Sequence, residues 1–195
     1  MSTVLLIDIN NLLRNSLCNK VSYFVTKWNV LYLYIFIAFN LLMISFSNIY
    51  PATIDDKGRV VVPAPFKKEM GDAVEAVYVV EKDVYDKCLN IYPYSTWLTK
   101  VERLRQRLNM DNPVHSQMLS RYYEEIVKLN MAENGRLNIP GEMLDYAGIV
   151  KEAVFTGQGL RMRLWEPSRH QASRLSDDDY ARLYKELLGG PMESF

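Results

Sequence analysis

Downstream of residue 48 the chain alternates between two-residue and three-to-four-residue hydrophobic periods, and one order of periods occurs twice. Tyr50, Ala52 and Ile54 alternate with polar or small neighbours as a half-buried strand does, and Val127, Leu129 and Met131 repeat the pattern. Each run enters a glycine turn, Lys57-Gly58 and Asn134-Gly135, and leaves it as a short strand, 60–62 and 137–139. Pro63 and Pro140 then end the ladder, because proline has no N–H to donate and suits the approach to a helix. Short helices are predicted at 65–70, stopped by Gly71, and at 142–147, stopped by Gly148. Apolar strands follow at 76–80 and 153–156, then alternating strands that end near a proline, 89–93 and 162–167.

The repeat is explicit in the residues. Ile54-Asp55-Asp56-Lys57-Gly58-Arg59-Val60-Val61-Val62-Pro63 aligns with Met131-Ala132-Glu133-Asn134-Gly135-Arg136-Leu137-Asn138-Ile139-Pro140 at a constant offset of 77, with Gly, Arg and Pro identical. Between the copies, Trp97, Val101, Leu104 and Leu108 recur at helical spacing among Lys100, Arg103, Arg105 and Arg107, and a second helix is predicted over 114–125. After the second copy, Ser176 caps a helix with acids in its first turn, with Tyr180, Leu183, Tyr184 and Leu187 on one face and Gly189 as its stop.

The first forty residues do not fit this pattern. Residues 28–54 carry no charge, and 30–39 are close to continuously apolar, which hydropathy alone reads as a membrane-spanning helix with its amino terminus inside. A second reading makes Met43 the working start and residues 1–42 the product of a misplaced start codon; a third makes the segment a buried or partner-binding helix.

Composition narrows the function. With 23 basic and 23 acidic residues, overall charge gives no pull towards an acidic partner. Cys18 and Cys88 lack metal or disulfide spacing, and His115 and His170 are the only histidines, so no metal site, cofactor or catalytic constellation is expected and the chain does not read as an enzyme. The histidines read as surface or boundary residues, and Tyr92, Trp97 and Trp165 as core. The candidate chemistry lies in the hairpin turns. Asp55 and Arg59 face each other across one turn, close enough for an ion pair that aims the guanidinium at a phosphate or a guanine, with Lys57 adding a phosphate contact. The same spacing also suits a surface ion pair that only stabilises the hairpin, by about 0–1 kcal/mol. The basic residues at 100–107, and Arg161, Arg163, Arg169 and Arg174, read as solvated faces rather than backbone contacts.

The doubled motif, Asp55 through Pro63 and Glu133 through Pro140, resembles the MraZ family, whose chains carry two SpoVT-AbrB-type modules. The resemblance covers Met43 to about His170. It implies an α+β fold, a double-split β-barrel closed by swapped hairpins, with modules at 48–97 and 126–169, a helical connector at 98–125 and a carboxy-terminal helix and tail at 175–195. It also implies DNA contact through Lys57, Arg59, Asn134 and Arg136, with Asp55, Gly58, Pro63, Gly135 and Pro140 shaping the turns. The family pattern Asp-x-x-x-Arg is complete in the first copy, whereas Ala132 replaces the acid in the second. The implied function is a transcription regulator of the bacterial division and cell-wall gene cluster, a ring-shaped homo-oligomer on promoter repeats in the cytoplasm and nucleoid, with no membrane partner. An AbrB-like antitoxin is the alternative, which the duplication opposes; a membrane-anchored protein remains open if residues 1–42 belong to it.

Overall fold

A computed structural model describes residues 44–70 and 76–189. Every element below belongs to the unit spanning Ser45–Phe195. The apolar stretch at 30–39, the Met43 start, the Gly71 helix stop and the tail beyond Gly189 lie outside the described residues. Among the described residues, no helix is long and apolar enough to cross a membrane.

The first copy folds as β1 (Ile49–Thr53), β2 (Arg59–Val61), α1 (Ala64–Met70), β3 (Val77–Lys82) and β4 (Leu89–Pro93). Two helices follow, α2 (Tyr94–Gln106) and α3 (Pro113–Glu124). The second copy repeats the order as β5 (Ile126–Asn130), β6 (Arg136–Asn138), α4 (Gly141–Ala147), β7 (Glu152–Gln158) and β8 (Arg161–Trp165), and α5 (Pro167–Ser173) and α6 (Asp177–Leu188) complete the fold. Local chemistry sets the boundaries. Asn112 caps α3 by accepting the Val114 amide at 2.9 Å, with Pro113 in the first turn, and Ser176 caps α6 by accepting the Asp179 amide at 3.1 Å. Gly148 stops α4 in the left-handed region at φ 70°, as its sequence position predicts.

The α+β class holds, but the expected barrel is not closed. Six strands form one antiparallel sheet in the order β1-β7-β8-β4-β3-β5, while β2 and β6 form a separate two-stranded ribbon. Both edge strands pair outside their own copy: Tyr50 lies opposite Phe155 across β1–β7, and Tyr78 opposite Leu129 across β3–β5. The β2–β6 ribbon also joins the two copies. Among the described residues no ladder links this ribbon to the sheet edge, and the bridge between Ile54 and Val60 at the first hairpin is the nearest approach to one. The centre of the sheet is its most buried part, with β3 and β4 buried along nearly their whole length.

Two packing centres hold the sheet. Phe66 of α1, fully buried, packs edge-on against Phe46, Tyr50 and Phe155, at 5.3, 5.0 and 6.2 Å between ring centres. Trp97 and Val101 of α2 bury against Val79 and Tyr92, as the helical spacing predicts.

Two expectations about basic residues are corrected. Lys100 does not lie on a solvated face: it pairs with the buried Glu81 of β3 and stands 4.7 Å over the Tyr92 ring. Glu81 also accepts the Tyr122 hydroxyl at 2.8 Å, so both connector helices are tied to the sheet through one carboxylate. Arg163, with only 12% of its side chain exposed, donates to Asp86 at 2.7 Å and stands 3.2 Å from Asp83. It is a structural cation, held inside by two acids that helix and strand periodicity cannot reveal. The thiol of Cys88 is buried beside it, and desolvation pushes its pKa up to about 12, so it stays protonated and inert.

Candidate nucleic-acid interface

Each hairpin turn is built by its own backbone and then locked by the other copy. In the first, the Asp55 amide donates to the Arg59 carbonyl at 3.0 Å and the Gly58 amide to the Asp55 carbonyl at 2.9 Å. In the second, Ala132 and Gly135 repeat these bonds at 2.9 and 2.8 Å, with Arg136 in the place of Arg59. The lock is reciprocal: the Val62 amide donates to the Gly135 carbonyl at 2.9 Å, and the Ile139 amide to the Gly58 carbonyl at 2.9 Å. Pro63 and Pro140 follow directly and end both strands, as predicted.

The two turn glycines have positive φ, 74° at Gly58 and 78° at Gly135, but different neighbours. A Cβ on Gly58 would lie 2.5 Å from the Ile139 carbonyl oxygen, whereas one on Gly135 would meet the Lys67 side chain, 2.6 Å from Nζ. Gly135→Ala is therefore expected to cost about 1 kcal/mol for the left-handed conformation, since a lysine tip can swing aside. Gly58→Ala should cost at least about twice as much, because backbone must yield. Urea unfolding of the two variants measures the difference, and equal costs would show that the locked backbone relaxes freely.

The ion pair expected from spacing is present. Arg59 Nε donates to Asp55 Oδ2 at 2.7 Å and Nη2 approaches the same oxygen at 2.6 Å, while Asp55 Oδ1 accepts the Lys57 and Arg59 amides at 3.0 Å. Arg59's side-chain bond, then its amide, bring the Asp55 pKa down to about 2 from an ordinary 3.8. Because this pKa is depressed in the folded state, the pairing is complete above about pH 4 and lost only as pH falls through about 2. An NMR titration of the Asp55 carboxyl should give a midpoint near 2; an ordinary midpoint would mean that the pair does not persist in solution.

The second turn lacks this clamp. Asn134 Oδ1 accepts the Arg136 amide at 3.2 Å, and among the described residues Arg136 has no carboxylate partner. The second turn instead gains a further cation from the first copy, whose α1 lays Lys67 over Gly135. At the equivalent place Leu144 of α4 lies beside Gly58, within 3.7 Å of its added Cβ. Sequence reasoning missed Lys67; a lysine in a short helix carries no signal of which turn it will meet.

The ribbon then brings the arginines together. Arg59 pairs with Asn138, Val60 with Leu137 and Val61 with Arg136. Directly paired residues share a face, so Arg59 and Arg136 project on one side while Val60 and Leu137, at 1% and 0% exposure, bury the other. Lys57 is exposed at its own turn. The result is an outward, doubly cationic face on a rigid two-stranded element, although Asp55, Asp56 and Glu133 lie at the same turns. His115 and His170 take no part: both are half-buried at the boundary, as expected. No cluster that could hold a metal occurs among the described residues.

Comparison with known proteins agrees with the repeat. A family model described as "MraZ protein, putative antitoxin-like" matches residues 45–121. A "Transcriptional regulator MraZ" of Bacteroides fragilis is 30% identical over 146 residues, covering 75% of this chain and 92% of that protein. The protein of the same name from Bacteroides thetaiotaomicron is also 30% identical over 146 residues, covering 75% and 94%. One from Chlorobium phaeobacteroides is 34% identical over 122 residues, covering 60% and 80%. With its doubled turn motif and its likeness over nearly the full length of these two Bacteroides relatives, the chain belongs to the MraZ family.

Proposed function

We propose that the chain is a DNA-binding transcription regulator whose β2–β6 ribbon enters the major groove. The observation that carries this reading is the placement of Arg59 and Arg136, one from each copy, on the single exposed face of that ribbon. A B-form major groove about 12 Å wide admits a two-stranded ribbon, and arginine forks pair with phosphates or with guanine O6 and N7. In this role Arg59 and Arg136 contact bases or phosphates, Lys57, Asn134 and Lys67 hold the backbone, and Asp55, Gly58, Pro63, Gly135 and Pro140 shape the turns. The relatives named as transcriptional regulators support the direction of the reading.

The finer reading follows from the exchange. The hairpins β1–β2 and β5–β6 act as the interlocked pair of a split barrel whose modules, at 48–97 and 126–169, are joined through 98–125. Balanced charge gives one ribbon little non-specific pull, so several ribbons must engage together, which a ring-shaped homo-oligomer on repeated promoter elements provides. The target is the promoter of the division and cell-wall gene cluster, and the site of action is the cytoplasm and nucleoid.

Fluorescence anisotropy of the full chain tests this, using DNA upstream of its own gene and an unrelated duplex at roughly 50 and 200 mM salt. Upstream DNA should bind at least about tenfold more tightly, with affinity falling steeply as salt rises. Equal binding to both duplexes, or none, overturns the proposal.

A further inference from the structure

The two arginines do not complete the exposed face of the ribbon. Its register sets Asn138 beside Arg59 and Val61 beside Arg136, so all four side chains share that face. Val61 remains 47% exposed, an apolar side chain held in solvent between cations. The Asn138 carboxamide is exposed as well and has no hydrogen-bond partner among the described residues. Neither residue contributes to the buried side, which Val60 and Leu137 fill.

Val61 and Asn138 also occupy the same place in the repeat, 77 residues apart, as Arg59 and Arg136 do. The approximate two-fold relation that carries Arg59 onto Arg136 therefore carries Val61 onto Asn138. The face is symmetric in its arginines and asymmetric in these two residues. Their chemistries differ as well. A carboxamide offers a donor and an acceptor side by side, matching adenine N7 and N6–H, whereas the valine methyls can complement only an apolar group, the C5 methyl of thymine.

We propose that Val61 and Asn138 are specificity-determining residues that read the bases beside those contacted by the arginines and fix the direction in which the chain lies on DNA. This rests on the ribbon-in-groove reading above. A ribbon with the same residue at both positions would read a two-fold symmetric core. This one reads an oriented core, with a thymine methyl on the Val61 side and an adenine on the Asn138 side.

Selection of full-chain protein on random-sequence duplexes tests the assignment, with binding to unselected duplex as the check that each variant is folded. The wild-type chain should enrich a core without two-fold symmetry. Val61→Asn and Asn138→Val should each enrich a more symmetric core, the two cores carrying their flanking A·T pairs in opposite orientations. Asn138→Ala should keep its affinity for unselected DNA yet lose about ten- to hundredfold discrimination at one base pair. If all variants enrich the wild-type core, the assignment of Val61 and Asn138 is overturned while the arginine contacts stand. If the wild-type chain enriches no sequence, the DNA reading itself fails, and this inference with it.

Discussion

Replacing Arg59 by alanine is expected to lower affinity for the upstream DNA by on the order of a hundredfold or more. A bidentate arginine contact is worth about 1–3 kcal/mol, and the loss compounds when several ribbons bind one DNA. The deletion also exposes the Asp55 carboxylate, which Arg59 neutralises through contacts of 2.7 and 2.6 Å, to the phosphates it would then face. Removing both residues should therefore bind better than removing Arg59 alone. Arg136→Ala should cost less, since Arg136 has no carboxylate clamp among the described residues and must be ordered as it binds. Anisotropy titrations of the three variants separate these effects, with size-exclusion chromatography showing an unchanged assembly. Unaltered binding by Arg59→Ala would remove Arg59 from the interface; equal losses at the two arginines would show that Ala132 in place of an acid has no effect.

Phe66→Ala should be the most damaging single change to stability, at about 3–5 kcal/mol. Phe66 is fully buried, and its three aromatic partners come from the segment before β1, from β1 itself and from β7. Deleting the ring leaves a cavity between two strands joined by a cross-copy ladder, which cannot close without breaking the register of Tyr50 against Phe155. Such a loss is a large share of the roughly 5–15 kcal/mol that holds a domain together. Urea unfolding measures it, and a loss below about 1 kcal/mol would show that the strands close over the gap.

The sequence made the elements legible and left their partners hidden. Alternation at Tyr50, Ala52 and Ile54, glycine turns at 58 and 135 and proline stops at 63 and 140 are local signals, and the strands and turns lie where these residues place them. Pairing β1 with β7 and β3 with β5 depends on contacts far apart in the chain, which no local period encodes. Lys100 and Arg163 read as solvated because their partners, Glu81, Asp83 and Asp86, lie on another element. Helix α5 was hidden for a different reason: Pro167, read as the end of a strand, is instead the first helical residue, capped by Glu166 accepting the Arg169 amide at 2.8 Å. At the interface, Arg59 and its ion pair were legible from spacing, and Val61 and Asn138 were within reach of the same alternation that buries Val60 and Leu137. Lys67 was not, because its place over Gly135 exists only once the two copies have packed together.

The joining of two copies in one polypeptide has an evolutionary consequence. In an exchanged dimer of identical chains every substitution appears twice, so a change useful on one side of the ribbon must also be tolerated on the other. Here β2 and β6 come from one chain, and each side can change alone. Asp55 against Ala132, Lys67 against Leu144 and Val61 against Asn138 are three places where the copies have parted while the glycine, arginine and proline of each turn stayed the same. Covalent linkage thus makes asymmetry heritable at a surface whose framework is still a pair.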